Sequence, residues 1–473
     1  MSDPRLISVA QMTEGDAFLI GKTASGRHTL VSWNPDDRWM LNGNTIIGGM
    51  SGTGKTRLLK QMIRWLSMQG KTMKVIDFQG DMRVAGETVF EVRARYDKDK
   101  PHYAISPFEF DKDERNGGPT VHAELLVEIF KKALFPNIGP IQRQLLKQIV
   151  LDTYARAGIT EHVSTWNQPL PTILDFAELH RDLMRTLGSG HLWRIESQIK
   201  KILNQRELMQ EDREKAMNKI DDAYLELNGI FKQLRNYVTQ DVDGDYGEWG
   251  NTIDVDLEPY LNKRSIAQLE SLSPYIKEMA SMSIFLGNNV PLDTKGHVRF
   301  DISGLTNSAK PSQAIFFSEL VMQAEFRRVK LRGEYDLSDE KRPGWRYDTA
   351  IVVDESKLVL PVGKEKENPY HIAHRINTEG RKYGLISVSA TQSFGHYSED
   401  ILQNSGAKII MRCDGKEHKK LKSSFAKLND TMLQRVEIFG LALVDTGKGF
   451  ETTVMPWADK EALGIKDKEV DVI

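Results

Sequence analysis

Strand-like and helix-like hydrophobic patterns alternate near the start of the chain. Residues 45–48 form a short apolar run typical of a buried strand. Residues 55–69 carry apolar side chains at helical spacing and end at Gly70, and 73–77 is a strand-like run again. A strand, a helix and a second strand in succession predict the start of a layered α/β unit.

The same alternation returns after residue 285. A helix is predicted at 312–331, and strands are predicted at 297–302, 349–354, 385–391, 408–413 and 441–445. Strands that alternate with helices form mostly parallel sheets with helices on both faces. The predicted fold class is therefore α/β, with a mostly parallel sheet flanked by helices.

The middle of the chain has a different, helical pattern. Residues 142–156 and 196–237 show helical apolar spacing, and a stretch containing Gly and Pro at 113–119 precedes them. Residues 5–43 instead show short strands and turns. We predict four segments: an N-terminal β element at 1–44, the first part of a core at 45–120, a helical insertion domain at 121–285 and the second part of the core at 286–473.

Composition narrows the class of protein. The chain has 473 residues, 40% of them hydrophobic, with a net charge of −2, so any contact with nucleic acid has to be local. The single cysteine, Cys413, cannot form an internal disulfide and indicates a reducing compartment. No run approaches the roughly 20 apolar residues of a membrane span, and the N-terminus lacks an apolar signal core. We expect a cytoplasmic protein without a membrane partner.

The residues after strand 45–48 carry the strongest chemical signal. Gly49-x-x-x-x-Gly54-Lys55-Thr56 is a complete phosphate-binding loop between an apolar strand and an amphipathic helix. Glycines let backbone N–H groups converge on phosphate, and the helix N-terminus adds partial positive charge. Lys55 is expected to bridge the β- and γ-phosphates of ATP, and the Thr56 hydroxyl to bind Mg²⁺. The predicted nucleotide contacts are Gly49, Met50, Ser51, Gly52, Thr53, Gly54, Lys55, Thr56 and Arg57.

A second apolar strand ends in two acids. Residues 350–353 are followed by Asp354 and Glu355. Asp354 is expected to hold Mg²⁺, and Glu355 to polarise the attacking water, so the pair predicts hydrolysis of ATP as well as binding. The structural alternative is a pair of acids that merely ends a buried strand.

Two further residues are candidates for catalysis. Gln392 ends the strand at 385–391 and is well placed to sense the γ-phosphate. Arg381 lies at the end of a helix that begins near His371, and its planar charge could stabilise the transition state at a neighbouring subunit's nucleotide. Taken alone, Gln392 is equally typical of a turn, and Arg381 of a helix C-terminus.

These motifs together resemble those of a known family. The phosphate loop at 48–56, the segment Val75-Ile-Asp-Phe-Gln-Gly-Asp81, the segment Ile105-Ser-Pro-Phe108, Arg381-Lys-Tyr-Gly and Ala390-Thr-Gln392 are similar to landmarks of the HerA/FtsK superfamily of hexameric DNA-pumping ATPases. The resemblance runs from about Phe18 to Trp457. Phe78 and Gln79 depart from the family's Asp-Pro-Lys-Gly-Glu motif.

The resemblance carries its own expectations. It implies a RecA-like core, a homo-oligomer, specifically a hexameric ring, ATP sites at subunit interfaces and double-stranded DNA in the pore. The arginine-finger role of Arg381 and the sensor role of Gln392 are implied in the same way. Short members of the family often work with a nuclease or an NAD-consuming effector in DNA repair or phage defence, so such a partner is also expected.

The sequence evidence for a DNA contact is weaker than that for the nucleotide. The densest basic stretch is 416–427, with Phe425 among the lysines. Lysines can contact backbone phosphates, but such a run is more often the solvated face of a helix, and we favour that interpretation.

Three other patterns are discounted. Residues 241–245 resemble a calcium loop but place Gly244 at the fourth position instead of the sixth. The pair His371 and His374 lacks the further ligands of a zinc site and is predicted to lie on a helix surface. The segment 188–190 is more typical of a helix-to-helix turn than of a phosphate site.

The function expected from the sequence is an ATP-driven, ring-forming DNA translocase or helicase. Two alternatives stay open. The first is a type IV secretion or conjugation ATPase, which uses the same engine to move protein or pilus subunits. The second is a scaffold whose nucleotide-bound ring activates an associated effector with little translocation.

Overall fold

The computed structural model describes most of the chain in two compact units. One comprises 1–105 and 286–473, and the other comprises 106–285. The residues described are 13–14, 17–24, 29–37, 40, 42–95, 99, 103–115, 117–135, 137–188, 260, 263–286, 288–289, 294–307, 311–334, 347–360, 368 and 371–458. The predicted helix at 196–237, the calcium-like segment 241–245 and most of the predicted turn at 188–190 lie outside the described residues.

The first unit is built on one sheet of 12 strands. Its strands are β1 (Thr13–Glu14), β2 (Ala17–Thr23), β3 (Leu30–Trp33), β4 (Thr45–Gly48), β5 (Thr72–Asp77), β6 (Thr88–Glu91), β9 (His297–Asp301), β10 (Thr349–Val353), β11 (Leu385–Thr391), β12 (Ala407–Ile410), β13 (Leu441–Asp445) and β14 (Glu451–Val454). A separate short pair joins β7 (Tyr103–Ala104) to β8 (Asn288–Asn289).

The order of the strands places the predicted site in the middle of the sheet. The order is β1-β2-β14-β13-β12-β4-β11-β10-β5-β9-β6, with β3 paired to β2. From β12 to β6 every neighbouring pair is parallel, whereas β13, β14, β2, β3 and β1 are joined antiparallel. A mostly parallel sheet confirms the predicted α/β class, and the carboxyl ends of β4, β11, β10 and β5 share one edge.

Helices cover both faces of the sheet. The helices of the first unit are α1 (Lys55–Met68), α6 (Ser303–Thr306), α7 (Ser312–Arg332), α8 (Ile372–Glu379), α9 (Glu399–Asn404), α10 (Gly415–Ser424) and α11 (Asp430–Arg435). Ile47 packs in the core cluster that contains α1, whereas its neighbour Ile46 packs in the cluster that contains α9. Because successive side chains of a strand point to opposite faces, this division shows two cores, one on each side of the sheet.

The N-terminal strands belong to the core beneath α1. Phe18 and Trp33 are buried, and the ring centroid of Trp33 lies 5.6 Å from that of Trp65 on α1. The Trp33 indole N–H donates to the Thr45 hydroxyl at 3.0 Å. These contacts join the hairpin β2–β3 to the strand that leads into the phosphate loop.

The second unit is helical. Its helices are α2 (Pro119–Ile129), which continues into a π-helical turn at Phe130–Leu134, α3 (Pro140–Arg156), α4 (Ile173–Gly188) and α5 (Lys263–Ala280). Tyr154 is buried and donates its hydroxyl to the Phe108 carbonyl at 2.8 Å. Among the residues described, no helix of either unit is long and apolar enough to cross a bilayer.

One prediction about surface placement is wrong. His374 is buried and His371 is half-buried, instead of forming a surface pair. The His371 Nδ1 accepts from the Ala373 N–H at 3.2 Å, so its ring caps the N-terminus of α8. The pattern of the sequence could not show that this helix begins inside the protein.

Candidate nucleotide-binding site

The phosphate loop connects β4 to α1 as predicted. The Gly49 N–H donates to the Thr391 carbonyl at 3.2 Å and the Met50 N–H donates to the Arg412 carbonyl at 2.7 Å. These two bonds tie the start of the loop to the segments at the ends of β11 and β12. The remaining loop is left to wrap the N-terminus of α1, where backbone N–H groups have no helical partner.

Two glycines of the loop have the left-handed backbone conformation. Gly52 has φ 82° and Gly54 has φ 101°. Glycine adopts these angles without the steric cost that a Cβ brings. Gly54 is also the N-cap of α1, so the glycine at this position turns the chain directly into the helix.

Lys55 and Thr56 are the first two residues of α1. The Lys55 ammonium donates to the Met50 carbonyl at 2.8 Å, which folds the side chain back over the loop. Burial lowers the pKa of Lys55, and the carboxylates of Asp354 and Glu355 act in the opposite direction. The Thr56 hydroxyl donates to Asp354 Oδ2 at 3.3 Å. The structure thus brings the loop and the acidic strand end together across 298 positions of sequence.

The acid pair follows β10 directly. Asp354 is buried, and burial, with the nearby carboxylates of Asp81 and Glu355, raises its pKa to about 6. Glu355 has a backbone φ of 61° and is the one non-glycine residue with a positive φ among the residues described. A left-handed conformation costs such a residue about 1–2 kcal/mol, and strained backbone of this kind clusters at functional sites.

Three side chains hold the Glu355 carboxylate. The Gln392 amide donates to Oε2 at 3.0 Å, the Gln79 amide donates to the same oxygen at 3.4 Å, and the Lys357 ammonium lies 3.1 Å from Oε1. Gln392 follows β11 and Gln79 follows β5, and these are the two strands next to β10. The carboxylate is therefore oriented from both sides of its own strand.

Gln79 and Asp81 were not predicted as site residues. Both lie in the turn after β5, and Gln79 occupies a position where the sequence departs from the family motif. Asp77 shapes this turn: its Oδ1 accepts from the N–H groups of Gln79 at 3.2 Å and Gly80 at 2.7 Å, and its Oδ2 accepts from the Met82 N–H at 3.1 Å. The similarity of residues 75–81 to a family motif is the signal that could have pointed to them.

Asp77 is in turn fixed by a buried cation. The Arg299 guanidinium donates to Asp77 Oδ2 at 2.9 Å and to Asp301 Oδ2 at 3.0 Å, and it also bonds Glu87. Arg299 and Asp77 are both buried. These bonds link the ends of β5 and β9, and they fix the turn that carries Gln79 and Asp81.

The structure does not bring Arg381 to this site within one chain. Arg381 lies in the turn Gly380–Tyr383 that precedes β11, whereas Gln392 follows the same strand. The two residues are therefore at opposite edges of the sheet, separated by a seven-residue strand of roughly 20 Å. The Arg381 side chain is exposed.

The basic stretch is a mostly solvated helix. It forms α10, where Lys416, Lys419 and Lys422 are exposed and Lys422 pairs with Asp430 at 2.7 Å. Phe425 is buried and its ring centroid lies 5.5 Å from that of Phe450, so this ring is not available for stacking on bases.

The residues present fit a magnesium nucleotide. The Thr56 hydroxyl and the Asp354 carboxylate form an adjacent pair of oxygen donors, the ligand type that Mg²⁺ prefers. Burial and the neighbouring carboxylates of Asp81 and Glu355 raise the pKa of Asp354, and a divalent cation bound at this point would offset that crowding of negative charge. Lys55 and the N-terminus of α1 supply the positive partners for phosphate.

Comparison with known proteins agrees with this architecture. No family model matches the chain. Over 87 residues it is 33% identical to the DNA double-strand break repair helicase HerA of Pyrococcus furiosus, a segment that spans 18% of this chain and 16% of that protein. The structure of VirB4 of Thermoanaerobacter pseudethanolicus matches 96% of this chain and 99% of its own, with a TM-score of 0.58 and 16% identity.

This chain has the fold of a HerA/FtsK-type P-loop ATPase. The resemblance inferred from the sequence is thereby confirmed. The bacterial conjugative coupling protein TrwBdeltaN70 is also similar, over 97% of this chain and 93% of its own, with a TM-score of 0.49 and 12% identity. Within this HerA/FtsK-type fold, the loop at 49–56 and the acid pair at 354–355 lie on one edge of the sheet.

Proposed function

We propose that the chain binds ATP with Mg²⁺ and hydrolyses it. The observation that carries this proposal is the position of Glu355. Its carboxylate is held by Gln392 at 3.0 Å, directly beside the pair formed by Thr56 and Asp354. A nucleotide-binding protein without turnover has no need of a second, separately oriented acid next to the metal ligand.

Each residue has a defined task in this proposal. Backbone N–H groups of the loop and the Lys55 ammonium bind the phosphates, and Thr56 with Asp354 holds the metal. Mg²⁺, when bound, would neutralise part of the negative charge of the β- and γ-phosphates. Glu355 orients a water and accepts its proton as the water oxygen attacks the γ-phosphorus, while the bond from that phosphorus to the β–γ bridging oxygen breaks and ADP leaves. Gln392 and Gln79 keep that carboxylate from rotating away from the water.

We further propose that hydrolysis drives DNA through a homohexameric ring. The sequence similarity to a protein described as a DNA double-strand break repair helicase supports this interpretation. The position of Arg381 is compatible with such a ring, because the residue is exposed and lies before β11, at the edge of the sheet away from the nucleotide site of its own chain. In such a ring each Arg381 would stabilise the transition state at its neighbour's site. A nuclease or an NAD-consuming enzyme is the proposed partner, in DNA repair or antiviral defence, and the proposed location is the cytoplasm.

The fold also supports a second candidate. VirB4 shares this fold over 99% of its own chain, so a type IV secretion or conjugation ATPase has the same structural support. A scaffold that activates an effector would need the nucleotide site but not its stimulation by DNA. DNA dependence of hydrolysis separates the DNA translocase from both of these candidates.

The test is steady-state ATP hydrolysis by the full chain, with and without double-stranded DNA. Glu355→Gln serves as the control because it keeps the shape of the side chain and removes the base. We expect turnover that DNA stimulates and that Glu355→Gln lowers by about 100-fold or more. Turnover that depends on Glu355 but ignores DNA would favour the scaffold. Turnover that is unchanged in Glu355→Gln would overturn the assignment of Glu355 as the catalytic base.

A further inference from the structure

Trp457 approaches the phosphate loop from one flank of β4, and the acid pair lies on the other flank. It follows β14, and the Met455 N–H donates to the Gly440 carbonyl at 2.9 Å, which fixes the chain just before it. In the sheet, β12, β13 and β14 lie on one side of β4, whereas β11 and β10 lie on the other. The loop that leaves β4 is therefore flanked by Trp457 on one side and by Asp354 and Glu355 on the other.

The indole ring lies directly against the point where the loop becomes a helix. A Cβ built on Gly54 would lie 2.7 Å from three atoms of the ring, Cε2, Cζ2 and Nε1. Contacts of that length do not occur in proteins, so this ring position requires glycine for steric reasons as well as for the backbone angle of 101°.

The same ring is covered by an exposed cation. The guanidinium carbon of Arg57 lies 5.4 Å from the centroid of the Trp457 ring, within the range of a cation–π contact. Arg57 is solvent-exposed on the first turn of α1. The Trp457 indole N–H is buried and has no hydrogen-bond partner within the described part of the chain.

The direction of a bound triphosphate follows from the positions of its partners. The γ-phosphate belongs beside Glu355 and Gln392, which are on the β11–β10 side of the loop. Because the triphosphate is wrapped along the loop, its α-phosphate and the nucleoside leave toward the β12–β14 side. That side presents the Trp457 ring and the Arg57 guanidinium.

We infer that Trp457 and Arg57 form the binding platform for the nucleoside part of ATP. The inference rests on the proposed nucleotide function and assigns a subsite to it. An aromatic ring with an adjacent cation offers stacking to the base and a charged donor to the ribose or α-phosphate. Neither residue touches the atoms that react, so both are binding residues.

The test compares ATP with inorganic tripolyphosphate, which has the phosphates but no nucleoside. Affinities of the full chain for each are measured by calorimetry in the presence of Mg²⁺. We expect Trp457→Ala to weaken ATP binding by about tenfold, which corresponds to about 1.4 kcal/mol, and to change tripolyphosphate binding by less than about twofold. Trp457→Phe keeps a stacking ring and is expected to stay within about threefold of the wild type.

A second readout separates the subsite from a purely structural role. ATP is expected to quench part of the tryptophan emission in the wild type and in the matched control Trp166→Phe, but not in Trp457→Phe. Equal loss of ATP and tripolyphosphate binding in Trp457→Ala would mean that the ring only supports the loop. Unchanged ATP binding would exclude the contact. A wild type that binds neither ligand would instead overturn the proposed nucleotide function.

Discussion

At the scale of single residues, the orientation of Glu355 depends on amides from two different strands. The contact of Gln392 is 3.0 Å and that of Gln79 is 3.4 Å, so Gln392 makes the stronger bond. We expect Gln392→Ala to lower kcat by about tenfold to 100-fold and Gln79→Ala by about fivefold. Binding of ATP is expected to change little in both variants, because the amides act on Glu355.

The measurement for these two variants is steady-state hydrolysis together with ATP affinity. Gln434→Ala is the matched control, since Gln434 is an exposed glutamine on α11. Full turnover in Gln392→Ala would show that the carboxylate holds its position without the amide.

The single cysteine, Cys413, is buried. Burial, with nearby Glu417, Asp414 and Glu437, raises the pKa of Cys413 to about 12. The thiolate is the reactive form, and with a raised pKa the thiol stays neutral until the pH approaches that value. At about pH 8 we expect the native protein to react with iodoacetamide at least about 100-fold more slowly than the unfolded chain. Mass spectrometry of the alkylated protein follows the reaction, and equal rates in both states would contradict the burial of this thiol.

The phosphate loop could be predicted from the spacing of its own residues, whereas the contact of Gln79 with Glu355 could not. The function of the loop is local, because two glycines, Lys55 and Thr56 act within a few residues of one another. Gln79 reaches Glu355 only because β5 and β10 are neighbours in the sheet. The hydrophobic period of each strand does not show which strands pair. Trp457 was missed for the same reason, since it meets Gly54 across the sheet.

At the scale of elements, the turn after β5 depends on one buried ion pair. Asp77 accepts three backbone N–H groups of the turn and pairs with Arg299 at 2.9 Å. Removing Asp77 takes one of three carboxylates from the buried Arg299 guanidinium and leaves three backbone N–H groups of the turn without their acceptor. We expect Asp77→Ala to lower the free energy of unfolding by about 3 kcal/mol, measured by urea denaturation.

The control for this variant is an exposed ion pair. Glu91 lies 3.0 Å from Arg93, and its side chain is 54% exposed. Glu91→Gln is expected to change stability by less than about 0.5 kcal/mol. Equal effects in the two variants would show that the buried network adds nothing to the turn.

The elements themselves were largely visible in the sequence. The helix predicted at 55–69 is α1 at Lys55–Met68, and the strand predicted at 385–391 has those same bounds. The strand predicted at 408–413 instead ends at Ile410, because the chain turns there toward Asp414, which caps α10. The short strands β6 and β14 were missed, since strands of four residues are too short to show a clear period.

At the scale of the whole molecule, the placement of Arg381 makes a ring testable. Subunits with Lys55→Ala lack the nucleotide site but keep Arg381, and subunits with Arg381→Ala have the reverse defect. We expect each variant alone to lose hydrolysis and a mixture to recover part of it at mixed interfaces. Native mass spectrometry verifies that mixed rings form. Verified mixed rings with no recovery would contradict action between subunits.

The pairing of β2 with β14 has a consequence for biosynthesis. Ala17–Thr23 leaves the ribosome well before Glu451–Val454, against which it pairs. At about 5–20 residues per second, the early strand waits on the order of tens of seconds for its neighbour. During that wait its apolar side chains, Phe18 and Ile20 among them, have no finished sheet to join. The apolar side of this strand therefore stays without its final neighbour during most of synthesis, which exposes the nascent chain to aggregation unless a chaperone binds it.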